Sequence, residues 1–308
     1  MPAQQSDGCV YRRLAQRQQV ATGFEYLRDV RILVTNDDGI DSTGLHELTR
    51  AVSNHGDIIV AAPDSEYSGA SASVGALHLI RPEVRRTSVD GAKEAYSVSG
   101  PPALCVLFAR MGVFGAVPDL VVSGINPGAN VGRAVYHSGT VGAALTARNG
   151  NITGIAISQE VTGFGIEGQG WEDTLAGQLW STAAEVADRV VGAMCASMPT
   201  RALVLNVNVP NLPIGELKGW RHSEVGMTVP RSIRRAELEP RPGHDGSYWV
   251  KMDYGDSVEL PVEEDGGAVE AGFVALTWLS RFRQEMPTDF DEAAIAAALT
   301  SVAGPHVG

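Results

Sequence analysis

The chain has 308 residues, of which 44% are hydrophobic and 19% charged, so it suits one large α/β unit or two domains rather than a disordered protein. Its 24 lysines and arginines stand against 36 aspartates and glutamates, which gives a net charge of −12. A chain this acidic is not expected to have the positive electrostatic potential that binds nucleic acid or an anionic membrane. Three cysteines are too few for a disulfide framework. We therefore expect a cytoplasmic protein with no stable nucleic-acid partner and no membrane contact.

Three parts of different composition follow one another along the chain. Residues 1–29 are polar and have neither a regular apolar period nor the apolar segment of a secretory signal, which predicts a loose N-terminal extension. Residues 30–210 alternate between apolar runs and helical patterns, which predicts an α/β core. Residues 211–308 have short strand-like pieces among proline, glycine and acidic turns, which predicts a C-terminal extension.

The pattern of the core predicts a mostly parallel sheet with helices on both faces. Strand-like runs cover residues 31–35, 57–62, 119–123, 152–158 and 202–209, and helical spacing covers residues 42–54, 101–111, 138–149 and 171–194. A side hairpin is predicted from residues 75–80 and 94–99, with its turn at Asp90-Gly91. Because strands and helices alternate, the predicted fold class is α/β, a three-layer Rossmann-like arrangement.

The C-terminal extension is predicted to contain a β-hairpin and a helix. Tyr248–Met252 and Phe273–Leu279 have the pattern of short strands, and Asp289–Thr300 has helical spacing. A role in subunit contacts and a role as a lid over the core would both suit such a segment.

Three loops that leave predicted strands carry oxygen ligands or glycine-rich backbone. They are Asn36-Asp37-Asp38-Gly39, the loop Glu66-Tyr67-Ser68-Gly69-Ala70-Ser71, and Gly124-Ile125-Asn126-Pro127-Gly128-Ala129-Asn130. Ligands of open α/β sheets bind at the carboxyl ends of the strands, where these loops would meet.

These loops also offer a set of oxygen ligands for a metal ion. The adjacent carboxylates of Asp37 and Asp38 disfavour each other's ionisation unless a cation lies between them. With Ser68 and Asn126 the ligands are all oxygen, which favours Mg²⁺ or Mn²⁺ over zinc. The alternative is a polar turn in which an aspartate caps the next helix.

A second set of residues suggests a phosphate site. The first turn of a helix starting at Ser138, with Gly139 and Thr140, offers free backbone N–H groups, and Gly69 and Ser71 offer further donors. Asn36 is grouped with these substrate-binding candidates. The alternatives are that Ser138 is only an N-cap and that residues 68–71 form an ordinary surface loop. His137 adjoins the predicted site and is a candidate for proton transfer.

The chain resembles the SurE family of metal-dependent nucleotidases in four blocks of residues: Val34-Thr35-Asn36-Asp37-Asp38-Gly39-Ile40, Ala62-Pro63-Asp64 with Ser68-Gly69, Val121-Val122-Ser123-Gly124-Ile125-Asn126-Pro127-Gly128-Ala129-Asn130, and Ser138-Gly139-Thr140-Val141. Asn206-Val207-Asn208-Val209-Pro210 resembles a later segment of that family. The chain departs from it at Gly100-Pro101-Pro102-Ala103-Leu104-Cys105, where the family usually has Gly-Thr-Pro-x-Asp-Cys, and this departure bears on substrate preference.

The resemblance implies both an activity and a set of roles. It implies one divalent metal ion per subunit on Asp37, Asp38, Ser68 and Asn126, a Rossmann-like core, and a C-terminal part that builds a homodimer or homotetramer. The predicted function is hydrolysis of nucleoside 5′-monophosphates, with Asp37, Asp38 and Asn126 as catalytic residues; whether 3′-monophosphates are also substrates is left open. Two alternatives are a non-catalytic nucleotide-binding sensor and a metal-dependent transferase acting on a phosphorylated sugar.

Overall fold

The computed structural model describes residues 30–77, 79, 81–162, 175–280 and 295. Its strands are β1 (Arg31–Thr35), β2 (Asp57–Pro63), β3 (Val84–Thr87), β4 (Glu94–Val98), β5 (Leu120–Pro127), β6 (Thr153–Gln159), β7 (Val204–Val209), β8 (Trp220–His222), β9 (Arg231–Pro240), β10 (Tyr248–Ser257) and β11 (Val274–Leu279). Its helices are α1 (Thr43–Val52), α2 (Pro102–Arg110), α3 (Gly139–Asn149), α4 (Trp180–Ala196) and α5 (Asp265–Glu270).

A nine-stranded sheet in the order β3-β4-β2-β1-β5-β6-β7-β11-β8 forms the centre of the fold. The pairings from β4 through to β7 are all parallel. Antiparallel pairings add β3 beside β4 and β11 beside β7. The mostly parallel α/β fold is therefore confirmed. Strand β11 also brings the C-terminal part of the chain back to the edge of the core sheet.

Alternating side chains along each central strand build two apolar layers, one on each face of the sheet. Ile32 and Val34 lie in a cluster with Leu48 of α1 and with residues of α4, whereas Leu33 lies in a second cluster with Leu104 of α2 and residues of α3. Successive residues of a strand point to opposite faces, so a strand covered on both sides is mostly apolar. This is why the core strands were predictable as continuous apolar runs.

Two predicted boundaries differ from the structure. The outer strand of the hairpin is Val84–Thr87, and residues 75–77 and 79 form turns and irregular backbone, so the strand predicted at 75–80 is wrong. The turn at Asp90-Gly91 explains the difference, because Val84–Thr87 and Glu94–Val98 lie at similar distances on either side of it and pair antiparallel. The helix predicted from residue 171 begins at Trp180, and residues 171–174 lie outside the described part of the chain.

The described C-terminal region contains the predicted hairpin, made of β9 and β10. Leu238, Trp249 and Val250 are among its exposed apolar side chains. The helix predicted at Asp289–Thr300 lies outside the described residues. No helix within the described ranges is both long enough and apolar enough to cross a membrane.

Candidate active site

A cavity of about 780 Å³ lies where the strand order reverses. The chain passes from β1 to β2 and β4 on one side of the sheet and later places β5 on the other side of β1. The crevice at the carboxyl ends of two such strands is the usual ligand site of an open α/β sheet. Six of the predicted site residues line this cavity: Asp37, Asp38, Ser68, Gly69, Asn126 and Ser138.

Asp37 is a buried carboxylate held by the start of α3. The Gly139 N–H donates to its Oδ2 at 3.1 Å, and the Thr140 hydroxyl donates to its Oδ1. Burial raises the pKa of Asp37, and the hydrogen bond from the Thr140 hydroxyl opposes that rise. A Cβ atom at residue 139 would lie 2.7 Å from the Asp37 Oδ2, so glycine is required for this approach. The first turn of α3 therefore fixes Asp37 in place.

Asp38 has a different environment from its neighbour. Its Oδ2 is buried, and no hydrogen-bond partner for it exists among the described residues. Burial, with smaller contributions from the negative charges of Asp37 and Glu66, raises the pKa of Asp38 to about 8. An unpartnered buried carboxylate oxygen costs free energy unless a proton or a cation compensates it.

Ser68 lies on the loop after β2, which is tied to Asp37 by a backbone hydrogen bond. The Tyr67 N–H donates to the Asp37 carbonyl at 2.7 Å, and the Ser68 hydroxyl donates to the Glu66 carboxylate at 2.7 Å. Because its proton is given to Glu66, the Ser68 oxygen keeps lone pairs for a further partner. Glu66 also lines the cavity, which places a third carboxylate near Asp38.

Asn126 lies within β5 rather than in the loop predicted after residue 123. Strand β5 continues to Pro127, and its register with β6 shifts between Ser123 and Asn126. The Asn126 Nδ2 donates to the Gly128 carbonyl at 2.7 Å, which leaves the side-chain oxygen free to accept or to bind a cation. The strand therefore presents a fixed amide oxygen across the cavity from the aspartates.

The donors present fit a hard divalent cation. Asp37, Asp38, Ser68 and Asn126 offer oxygen atoms, and the buried Oδ2 of Asp38 has no hydrogen-bond partner in the part of the chain that the structure describes. No cluster of three or more His, Cys, Asp or Glu side chains suited to a metal occurs among the described residues. A cation here would accordingly depend on neutral oxygens for part of its coordination.

Comparison with known proteins assigns the chain to a family. The model of the family described as survival protein SurE matches residues 32–231. The chain belongs to the SurE family. It is 36% identical over 249 residues to the 5′-nucleotidase SurE of Pseudomonas entomophila, which covers 80% of this chain and 91% of that protein. It is 35% identical over 256 residues to the 5′-nucleotidase SurE of Aeromonas hydrophila, with 82% and 92% covered.

The fold is also that of a solved SurE structure. The crystal structure of the SurE protein from Aquifex aeolicus superposes with a TM-score of 0.64 at 28% sequence identity, covering 88% of this chain and 98% of that one. The region that matches the SurE family includes the cavity and all four predicted metal ligands.

Four predicted substrate-binding residues of this SurE-family chain do not line the cavity. Gly139 and Thr140 donate to Asp37, as described above. Asn36 is buried and shapes the turn, because its Nδ2 donates to the Gly39 carbonyl at 3.1 Å and to the Ser42 hydroxyl at 2.6 Å. The Ser71 N–H donates to the His137 carbonyl at 3.1 Å. These residues hold the loops that carry the site.

Ser138 and His137 both line the cavity, on the side of the α3 N-terminus. The Ser138 hydroxyl accepts from the Val141 N–H at 3.1 Å, so Ser138 is the N-cap of α3 as well as a residue of the cavity lining. His137 is exposed, and its carbonyl receives the Ser71 N–H.

A buried asparagine cluster supports one wall of the cavity and was missed by sequence reasoning. The Asn130 N–H donates to the Asn208 side chain at 2.7 Å, and the Asn130 Nδ2 donates to the Ser158 hydroxyl at 2.9 Å. The side chains of Asn206 and Asn208 both donate to the Asn130 carbonyl. Two asparagines at alternate positions of the buried strand β7 were the available signal, because an apolar core would not otherwise contain them.

Asp265 fastens the same wall to the C-terminal region. It is fully buried, and its carboxylate accepts hydrogen bonds from the backbone N–H groups of Gly132, Gly226 and Gly266 at 2.9–3.1 Å. Burial raises the pKa of Asp265, and these backbone donors oppose the rise. Its signal in the sequence was weak, because an aspartate at the start of a helix is common.

Proposed function

We propose that this chain is a metal-dependent phosphomonoesterase that hydrolyses nucleoside 5′-monophosphates to nucleoside and phosphate. The observation that carries the proposal is the meeting of Asp37, Asp38, Ser68 and Asn126 at one cavity, with a buried oxygen of Asp38 that has no other partner among the described residues. The relatives named 5′-nucleotidase SurE, at 35–36% identity, support the same activity.

We propose that one divalent cation, Mg²⁺ or Mn²⁺, binds to these four side chains. Such an ion supplies Lewis acidity and offsets the negative charge of the phosphoryl group. Asp37 is oriented for this role by its hydrogen bonds from Gly139 and Thr140, and Asn126 by its bond to the Gly128 carbonyl. Because these partners are fixed before substrate arrives, the site is preorganised for charge development.

The phosphoryl group of the substrate is proposed to lie between the loop after β2 and the start of α3. Gly69 is exposed at the cavity, and a Cβ atom added to it would meet no atom within 4 Å, so a ligand can approach its backbone closely. Ser138 and His137, at the start of α3, also line the cavity. His137 is exposed and adjacent, which makes it a candidate proton donor to the leaving oxygen.

The decisive experiment measures phosphate release from nucleoside 5′- and 3′-monophosphates with Mg²⁺ or Mn²⁺, beside an EDTA control. Turnover that EDTA abolishes and the metal restores is the expected result. The variant Asp37→Asn is expected to lose activity and keep its fold. Absence of phosphate release from folded, metal-saturated protein would contradict the proposal, and release of another product from a phosphorylated sugar would indicate a transferase.

We also propose that the hairpin of β9 and β10 joins subunits into a homodimer or homotetramer. Its exposed apolar side chains, among them Leu238, Trp249 and Val250, are the basis for this proposal. Sedimentation of the wild type and of a variant carrying Trp249→Ser with Val250→Ser tests it, because loss of this surface should shift the protein to monomer.

The free thiols of Cys105 and Cys195 suit a reducing compartment, and we propose the cytoplasm.

A further inference from the structure

The cavity extends well beyond the residues proposed to hold the metal and the phosphate. Glu160 and Val161 form its end at the carboxyl end of β6. In the register of β5 with β6, Asn126 is opposite Ser158, and Glu160 lies two residues beyond Ser158. Glu160 directly follows the last residue of β6, and the usual spacing between strands and between residues places its Cα about 8 Å from the Asn126 Cα. A molecule whose phosphate lies near Asn126 therefore has its next group within reach of Glu160.

Glu160 is held firmly at this position. Its N–H donates to the Val209 carbonyl at 2.8 Å, and its carbonyl accepts from the Gln178 side chain at 2.9 Å. The backbone N–H of Asn211 donates to the Glu160 Oε2 at 3.3 Å. Among the described hydrogen bonds, none reaches the Oε1. One oxygen of the carboxylate is thus anchored, and the other is available to a ligand.

The surroundings of this carboxylate restrict which ligands it can accept. The described residues that line the cavity include Asp37, Asp38, Glu66 and Glu160 but no lysine or arginine. A divalent cation would compensate the aspartates, whereas Glu160 is not among its proposed ligands. A second phosphoryl group there would meet a like charge, while a neutral hydroxyl could donate a hydrogen bond.

Apolar side chains also line the cavity. Pro127 and Ala129 follow Asn126 in the chain, and Val161 follows Glu160. They offer contact surface for a flat, weakly polar group without hydrogen-bonding demands of their own. A nucleoside combines such a group with a sugar that carries hydroxyl donors.

From this arrangement we infer that Glu160 determines specificity: it accepts a hydrogen bond from a sugar hydroxyl of the substrate and repels a second phosphoryl group. The chain accordingly prefers ribonucleoside monophosphates to their deoxy counterparts and to nucleoside diphosphates. The inference rests on the proposed function and adds a substrate class to it.

The test compares kcat/KM for adenosine 5′-monophosphate, its 2′-deoxy and 3′-deoxy counterparts, and adenosine 5′-diphosphate. Wild type, Glu160→Gln and the control Glu270→Gln are measured, because Glu270 is an exposed carboxylate that acts on Glu160 only through its charge. In Glu160→Gln, kcat/KM for the ribonucleotide should fall about 10-fold or more, as for a lost hydrogen bond to a charged group. For the deoxy substrate that lacks the contacted hydroxyl, kcat/KM should change less than about threefold. The ratio of kcat/KM for the diphosphate to kcat/KM for the monophosphate should rise. The control should match the wild type.

The ratio between two substrates does not depend on the fraction of active protein, so a partly folded variant still gives an answer. Glu160→Asp, which keeps the charge on a shorter side chain, serves as a second variant and should weaken discrimination without favouring the diphosphate. Ratios in Glu160→Gln within about twofold of the wild type would overturn the inference and leave the proposed function intact. Absence of phosphate release by the wild type from every nucleotide would overturn the proposed function itself, and this inference with it.

Discussion

Two adjacent aspartates, Asp37 and Asp38, differ in how fully their carboxylate oxygens are hydrogen-bonded. Asp37 receives donors from Gly139 and Thr140, whereas the Oδ2 of Asp38 receives none within the described residues. The first arrangement fixes a carboxylate, and the second leaves one in need of a cation. We therefore expect Asp37 to orient the proposed metal. We expect the metal to stabilise the folded protein mainly by compensating the charge of Asp38.

The pH dependence of stability tests the role of Asp38. Its pKa is raised from the ordinary 3.8 to about 8 in the folded state. Between those pH values the unfolded chain has lost the proton and the folded chain still binds it, so the free energy of unfolding must fall as pH rises. In EDTA, the thermal midpoint should drop from about pH 5 to pH 8, and the drop should be smaller in Asp38→Asn.

The same variant separates stability from activity. Because asparagine removes the buried charge at nearly constant volume, Asp38→Asn should be at least as stable as the wild type in EDTA at pH 8 and should lose more than about 100-fold in phosphate release. Thermal unfolding and a phosphate assay measure the two effects. A variant that is less stable, or that keeps its activity, would contradict the role assigned to Asp38.

Thr140 offers a second test at the residue scale. Its buried hydroxyl donates to Asp37, and Thr140→Val removes that donor while preserving the shape of the side chain. We expect the metal concentration for half-maximal activity to rise about 10-fold, since a hydrogen bond to a charged group contributes about 1.5–3 kcal/mol. Thr140→Ser keeps the hydroxyl and should stay within about threefold of the wild type. Equal behaviour of the two variants would exclude this orienting role.

The residues proposed as metal ligands were predictable, and their supports were not. Asp37 and Asp38 directly follow an apolar run, and that position alone indicates the end of a buried strand. The bond from Thr140 to Asp37 joins residues 103 positions apart, and no local pattern reveals it. Sequence reasoning therefore gave Gly139 and Thr140 to the phosphate, whereas the structure pairs their donors with a carboxylate.

Between elements, the buried carboxylate of Asp265 connects α5 to the wall of the cavity. It accepts from the backbone of Gly132, two residues after Asn130 of that wall, and of Gly226 in the C-terminal region. Asp265→Asn turns part of this acceptor into a donor that faces other donors, so the free energy of unfolding should fall by about 2–3 kcal/mol.

The kinetic effect of Asp265→Asn should be selective. Because the proposed metal ligands lie elsewhere in the cavity, KM should rise while kcat at saturating substrate stays close to that of the wild type. Denaturant unfolding and steady-state kinetics measure the two effects. Glu263→Gln, an exposed carboxylate two residues earlier, is the control and should change neither. A fall in kcat with KM unchanged would mean that Asp265 acts on the chemistry instead.

The elements that were predicted well are those whose residues carry the signal themselves. Strands β1 and β2 are apolar on both faces along their buried length, so composition and length identify them. Strand β3 is exposed throughout and exists because β4 lies beside it, which is why its position was missed. The continuation of β5 to Asn126 likewise depends on pairing with β6 across a register shift.

At the scale of the whole molecule, the acidity of the chain and the charge of the proposed substrate oppose each other. The net charge is −12, and the described lining of the cavity adds no lysine or arginine. A dianionic phosphate must approach through a repulsive field, and only a bound cation at the site offsets it. The repulsion slows the association of substrate with the protein and restricts its binding to the site that holds the cation.

Added salt should therefore raise the rate of this enzyme when binding of substrate is the rate-limiting step. Ions shorten the range of the repulsion, with a Debye length of about 30 Å at 0.01 M falling to about 8 Å at 0.15 M. We expect kcat/KM for a nucleoside monophosphate to rise about two- to fivefold over that range at saturating Mg²⁺, with kcat nearly constant. Metal saturation is checked by titration at each ionic strength, since salt also weakens cation binding to carboxylates. A fall in kcat/KM at full metal saturation would show that the local field of the cation, rather than the net charge of the chain, governs the approach of the substrate.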